Sequence, residues 1–146
     1  ELESLRAGHR RCVPRQFDHH PRWRPYAADV SPRDWFGLPA RRLHLPLKSE
    51  VLLVPLFGHT RGHCGVAIAR GERWFLHAGD AYYLRAELTQ PGHPVSAMAA
   101  ARADDDASRL DSLAHLRRLA TRHADEVEMC GYHDLAELPR ECLEGA

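Results

Sequence analysis

The sequence predicts an α/β domain: a mixed β-sheet with one or two helices on one face. Three observations predict it. Val51 to Leu56 is a continuous apolar run, the mark of a buried strand. The stretches 62–69 and 74–77 flank Arg70-Gly71-Glu72-Arg73, the spacing of a β-hairpin with a short glycine-containing turn. Leu110, Leu113, Leu116, Leu119 and Ala120 recur at helical spacing within 108–123, with Arg and Asp on the other face; this leucine stripe is the expected core face.

The remaining elements follow in chain order. Residues 1–8 read as the tail of a helix, through Leu2, Leu5 and Ala7-Gly8. Residues 9–35 are predicted irregular, because Pro14, Pro21, Pro25 and Pro32 interrupt any helix or central strand. The aromatics Phe17, Trp23, Tyr26, Trp35 and Phe36 are expected to pack as a long loop over a core, ahead of lining a pocket. Trp35-Phe36-Gly37-Leu38 and Arg42-Leu43-His44-Leu45 are short strand candidates. Pro91 to Pro94 is a loop. Asp104 to Asp106 place negative charge before the long helix, which suits its dipole. Residues 125–129 form a strand candidate, and a short helix begins near Leu135, limited by Pro139.

At 146 residues the chain suffices for one domain. Twenty basic and 20 acidic residues leave no net charge, which argues against a nucleic-acid partner. No apolar run is long enough for a membrane span. Cys12, Cys64, Cys130 and Cys142 form no CxxC pair, so a disulfide framework is not expected and a cytoplasmic location is. Lys48 is the lone lysine, a compositional hint of a GC-rich bacterial genome. Residue 1 is Glu rather than Met, and the expectation is a fragment of a longer chain.

Three predicted strands run into a glycine and then a ligand-type side chain. They are Pro55-Leu56-Phe57-Gly58-His59, Trp74-Phe75-Leu76-His77-Ala78-Gly79-Asp80 and Val127-Glu128-Met129-Cys130-Gly131-Tyr132-His133. If these strands are neighbours, His59, Asp80 and His133 converge. Imidazole nitrogen and carboxylate oxygen are good zinc ligands, and a carboxylate has two oxygens with which to bridge two ions. Such a pair holds hydroxide near neutral pH and polarises a carbonyl.

As a set, Gly58-His59-Thr60-Arg61-Gly62-His63, Leu76-His77-Ala78-Gly79-Asp80 and Gly131-Tyr132-His133-Asp134 resemble the later motifs of the metallo-β-lactamase-fold hydrolases, in their glyoxalase II and lactonase-like branch. The resemblance covers about residues 50–136. It implies the C-terminal half of an αββα sandwich and a site for two zinc ions. It makes His59 a ligand of the first metal, Asp80 the bridge and His133 a ligand of the second. His63 is then a supporting residue. Tyr83, three residues after Asp80, contacts the substrate carbonyl in that branch's manner or is a packed aromatic, with Tyr82 its rival for either role.

The family's earlier His-x-His-x-Asp-His motif is missing. Around Asp18-His19 the two required histidines fall on Pro14 and Gln16. The expectation is therefore one partial domain over 1–146, whose missing N-terminal half is needed to complete the site. The expected function is hydrolysis of an ester, thioester, lactone or amide in a small-molecule substrate by metal-bound hydroxide, with the isolated chain inactive. The alternatives are a non-catalytic or incomplete domain and a di-iron oxidoreductase of the same fold. His44, His93, His115 and His123 have no partner spacing, and His77 reads as a satisfied core histidine.

Overall fold

The computed structural model describes residues 2–9, 11–26 and 32–137. They fall into two compact units, one up to Pro32 and one from Arg33 onward.

The first unit holds α1 (Leu2–Arg6) and a 3-10 turn, Pro14–Phe17. The prolines act as expected, and nothing longer forms among the described residues. Phe17 and Trp23 pair their rings at 5.3 Å, and the Arg24 guanidinium lies 5.7 Å from the Tyr26 ring centroid. The loop aromatics here thus find partners in their own unit, and Trp23 stays half-exposed.

The second unit is a six-stranded mixed sheet in sequential order. Its strands are β1 (Arg33–Trp35), β2 (Leu38–Arg42), β3 (Val51–Pro55), β4 (Cys64–Arg70), β5 (Arg73–His77) and β6 (Val127–Cys130). Neighbours are antiparallel except β5 and β6, which are parallel. The parallel pair needs a crossover, and it contains α2 (Ala86–Thr89), α3 (Val95–Arg102) and α4 (Asp106–Arg122). Among the described residues the unit has three helices rather than one or two. Sequence periodicity misses α2 and α3, because four and eight residues carry too few turns to show a stripe.

Register explains the core. Leu52, Ala67, Leu76 and Met129 are directly paired across β3, β4, β5 and β6, and all four are buried. Leu113, Leu116 and Leu119 of α4 join them in one cluster. Burying each leucine contributes about 1.5–3 kcal/mol. Leu110 does not belong to this stripe: it is 48% exposed, because α4 turns that position to solvent. The alternate residues Leu53, Val66, Ile68 and Phe75 occupy the opposite face and are half-buried.

Two strand expectations shift. Residues 35–38 are not one strand: Trp35 ends β1, Leu38 begins β2, and Phe36 at φ 50° with Gly37 at φ 79° turns the chain between them. This is the left-handed pair of a two-residue hairpin, and glycine takes one position without strain. Phe36 tolerates the other while its ring packs edge-on to Trp35 at 5.0 Å. The strand predicted at 42–45 ends at Arg42, leaving His44 in an exposed loop. Among the described residues no helix is long and apolar enough to cross a membrane. Cys12 and Cys130 are free thiols, while Cys142 and Pro139 lie outside the described residues.

Candidate metal centre

The topology puts three ligand-type residues at one end of the sheet. β3 and β5 are both antiparallel to β4 and so run the same way, and β6 is parallel to β5. The C-terminal ends of β3, β5 and β6 therefore share one edge of the sheet. His59, Asp80 and His133 each follow one of these ends within a few residues. Neighbouring ends are tied by backbone bonds from Ala78 N to Cys130 O (2.8 Å) and from Tyr132 N to Gly79 O (3.1 Å).

The side chains meet on the Asp80 carboxylate. His59 Nε2 lies 3.3 Å from Oδ2, and His133 Nε2 lies 3.0 Å from Oδ1. Each imidazole thus faces a different oxygen. The His133 contact lacks hydrogen-bond geometry, leaving Oδ1 buried without a hydrogen-bond partner. Side-chain exposure rises from 13% at His59 through 30% at Asp80 to 45% at His133. Among the described residues no three His, Cys, Asp or Glu side chains surround a point where one ion would sit.

His63 holds this arrangement from behind. The Asp80 backbone N–H donates to His63 Nε2 at 3.0 Å, and His63 Nδ1 lies 2.8 Å from the Leu56 carbonyl. A backbone N–H can only donate and a carbonyl can only accept, so the proton sits on Nδ1. Both ring nitrogens are committed, which makes His63 a support and not a ligand. Gly79 is required at this contact. Its φ is +58°, and a Cβ there would come within 2.7 Å of His63 Nε2.

The His59 turn is clamped by the start of α4. Gly58 O accepts from Asp104 N (3.0 Å) and Asp105 N (3.1 Å), and Ser112 Oγ donates to Phe57 O at 2.8 Å. A Cβ on Gly58 would land on the backbone of Arg109. Asp105 caps α4 by accepting from Ser108 N at 3.2 Å.

Both tyrosines after Asp80 are buried, and they separate in role. The Tyr83 hydroxyl lies 3.5 Å from His59 Nδ1, and its ring meets the His133 ring at 4.7 Å. Tyr82 points elsewhere and donates to Glu137 at 2.9 Å. Glu137 Oε1 also accepts from Arg85 Nη1 (2.8 Å), and Oε2 accepts from Gly131 N (2.7 Å). Asp134 joins by accepting from Arg85 N at 2.8 Å. Burial, then the Glu137 carboxylate, push the Tyr82 phenol well above its usual range, so it stays a neutral donor. Burial, then Glu137 and Glu128, likewise raise the Cys130 thiol. Glu87, fully buried, accepts from Tyr83 N (2.8 Å) and Ser96 Oγ (2.6 Å) and fixes the turn that carries Tyr83.

Sequence reasoning misses Glu137, Arg85 and Glu87, because no local spacing distinguishes them from surface charges. His77 is exposed rather than a core histidine: it closes β5 on the sheet's second face, and its Nδ1 accepts from Gly79 N at 3.3 Å.

No protein-family profile matches the chain. Two curated proteins, each named a probable metallo-hydrolase, from Mycobacterium bovis and Mycobacterium tuberculosis, are 41% identical to it over 73 residues. The relatives' printed name agrees with the metal-dependent hydrolase resemblance of the sequence motifs. The matched stretch is 50% of this chain but 23% of each relative, so the chain corresponds to a minor part of their length. A solved N-acyl homoserine lactone hydrolase, holding N-hexanoyl-L-homoserine at its catalytic metal centre, aligns with a TM-score of 0.46 and 18% identity. That alignment covers 64% of this chain and 34% of the other.

The donors present fit part of a metal centre. A carboxylate with one buried oxygen that accepts no hydrogen bond, and with a different imidazole at each oxygen, is a donor set that suits a metal ion.

Proposed function

We propose that the protein carrying this chain is a metal-dependent hydrolase acting on an ester, thioester, lactone or amide of a small molecule. Zinc is the metal that best suits this nitrogen and oxygen donor set. The carrying observation is the Asp80 carboxylate, offered to one imidazole per oxygen at a shared edge of the sheet. In this reading His59, Asp80 and His133 would be the residues of this chain that hold the metal. When bound, the metals supply Lewis acidity towards a carbonyl and lower the pKa of water.

This chain's own residues orient and exclude. His63 fixes the Asp80 backbone, Gly58 and α4 hold His59, and Glu137 holds the loop of His133. Tyr83 contacts the substrate carbonyl beside His59 and packs against His133. The remaining ligands come from an N-terminal half of the same sandwich, carrying the His-x-His-x-Asp-His motif that 1–146 lacks. The half-buried apolar face of Leu53, Val66, Ile68 and Phe75 supports this, because a sandwich half needs such a face.

The full-length protein is the test object. It is expected to carry about two zinc ions by elemental analysis. Its hydrolysis of a panel of activated esters, thioesters and lactones is expected to be removed by a chelator and lowered at least 100-fold by Asp80→Asn. Activity that survives both chelation and the substitution would sink the reading. Residues 1–146 alone are expected to retain less than one zinc and to hydrolyse none of the panel.

A further inference from the structure

An open cleft of about 540 Å³ begins at the candidate metal centre, lined by Tyr83, Leu84, Val95, Met98, Arg102 and His133. Two of these residues belong to the site and three come from α3. Val95, Met98 and Arg102 stand at positions i, i+3 and i+7, which share one face of a helix. The helix is held with that face outward. Ser96 donates to buried Glu87, and Ala99 is buried in the core. Glu87 also binds the Tyr83 backbone, so one buried carboxylate joins the cleft wall to the site.

The lining has a definite chemical pattern. Leu84, Val95 and Met98 make an aliphatic wall, with Met98 44% exposed. Arg102 ends it, and among the described residues no carboxylate pairs with it. Its guanidinium carries a delocalised positive charge and planar donors suited to an anion. A neutral aliphatic ligand would not use that charge, and a cationic one would be repelled by it.

We propose that this cleft is the substrate subsite, and that it selects carbonyl compounds with an aliphatic segment bearing an anionic group. The reacting carbonyl lies at the Tyr83 and His133 end. The aliphatic segment runs along Leu84, Val95 and Met98, and the anion sits at Arg102. The inference rests on the hydrolase reading for what the cleft is used for, but its binding pattern can be measured without metal.

The chain contains two methionines, Met98 in the cleft and Met129 on β6. Methyl-13C methionine labelling therefore gives one reporter inside the site and one outside. The metal-free chain, kept in chelator at pH 8.5 where imidazoles are ordinarily uncharged, is titrated with heptanoate and with heptanamide of the same shape. Heptanoate is expected to shift the Met98 methyl and leave Met129 in place, binding about fivefold more tightly than the amide, the worth of one solvent-exposed charge contact. Arg102→Gln is expected to erase that preference and Arg102→Lys to keep most of it. Arg102 is exposed, so neither variant threatens the fold. Equal binding of acid and amide, a preference unchanged in Arg102→Gln, or a shift at Met129 alone would overturn the proposal. Those results would leave the hydrolase reading standing, since zinc content and Asp80→Asn decide that separately.

Discussion

The two imidazoles that flank Asp80 are held by different physics. His59 is mostly buried, on a turn fixed by backbone hydrogen bonds to the first turn of α4 and by a glycine pressed against Arg109. His133 is nearly half-exposed, on a loop fixed by side chains: Glu137, Arg85, Tyr82 and Asp134. A backbone clamp has few ways to relax. A polar network relaxes one hydrogen bond at a time. The comparison predicts a rigid first imidazole and an adjustable second one, which under the proposed hydrolase reading suits entry of substrate from the side of His133.

The largest expected effect tests the clamp. Gly58 has φ +125°, and a side chain there collides with backbone rather than with a movable tip. Gly58→Ala should cost about 3 kcal/mol or more, combining backbone strain with displacement of α4. Urea unfolding of the chain measures it. A cost under about 1 kcal/mol would show that the turn is softer than its hydrogen bonds imply.

Glu137→Ala comes next and tests the other side. It strands the buried Tyr82 hydroxyl and the Gly131 N–H, so a loss of about 2–3 kcal/mol is expected. The sharper readout is local. The His133 ring proton in NMR should broaden or shift, while that of His59 stays in place. Equal changes at both histidines would erase the contrast between them. Glu137→Gln retains acceptor capacity and should recover part of the loss.

The contrast also explains what the sequence makes legible. His59, Asp80 and His133 are readable because each follows a strand and a glycine, and strands announce themselves by apolar runs. Leu113, Leu116 and Leu119 are readable by helical period. Glu137 and Glu87 are not, because their partners lie 55 and 4 positions away at Tyr82 and Tyr83, and burial of a carboxylate leaves no local pattern. Leu110 misleads for the opposite reason, since it fits the period yet faces solvent. The Phe36-Gly37 turn was hidden by aromatic neighbours that read as strand. Backbone clamps, too, are visible in sequence only as glycines, whose purpose appears once Arg109 and His63 are placed beside Gly58 and Gly79.

His63→Ala is a smaller probe of the rigid side. It leaves the Asp80 N–H and the Leu56 carbonyl without their imidazole partner, at an expected cost of about 1–3 kcal/mol. Water can enter the space beside Gly79 and recover some of this. His63→Gln should lose less than His63→Ala, since an amide offers both a donor and an acceptor. If the alanine variant is as stable as the parent, the support role assigned to His63 fails.

The smallest effect lies at the cap of α4. Hydrogen bonds from Ser108 hold the Asp105 carboxyl below the usual carboxylate range, so folding favours its ionised form. The resulting stabilisation is fully present above the ordinary carboxylate pKa, near pH 4, and is lost as pH falls through the depressed folded value. Asp105→Ala should therefore lower the melting temperature slightly at pH 7, and parent and variant should converge once the pH has fallen below the depressed folded value. Because α4 also clamps Gly58, the variant should loosen the His59 turn before it affects His133, in amide exchange as in stability. A difference that persists unchanged into acid would mean that Asp105 contributes through shape rather than charge. The rigid half of the site would then owe nothing to the cap's ionisation.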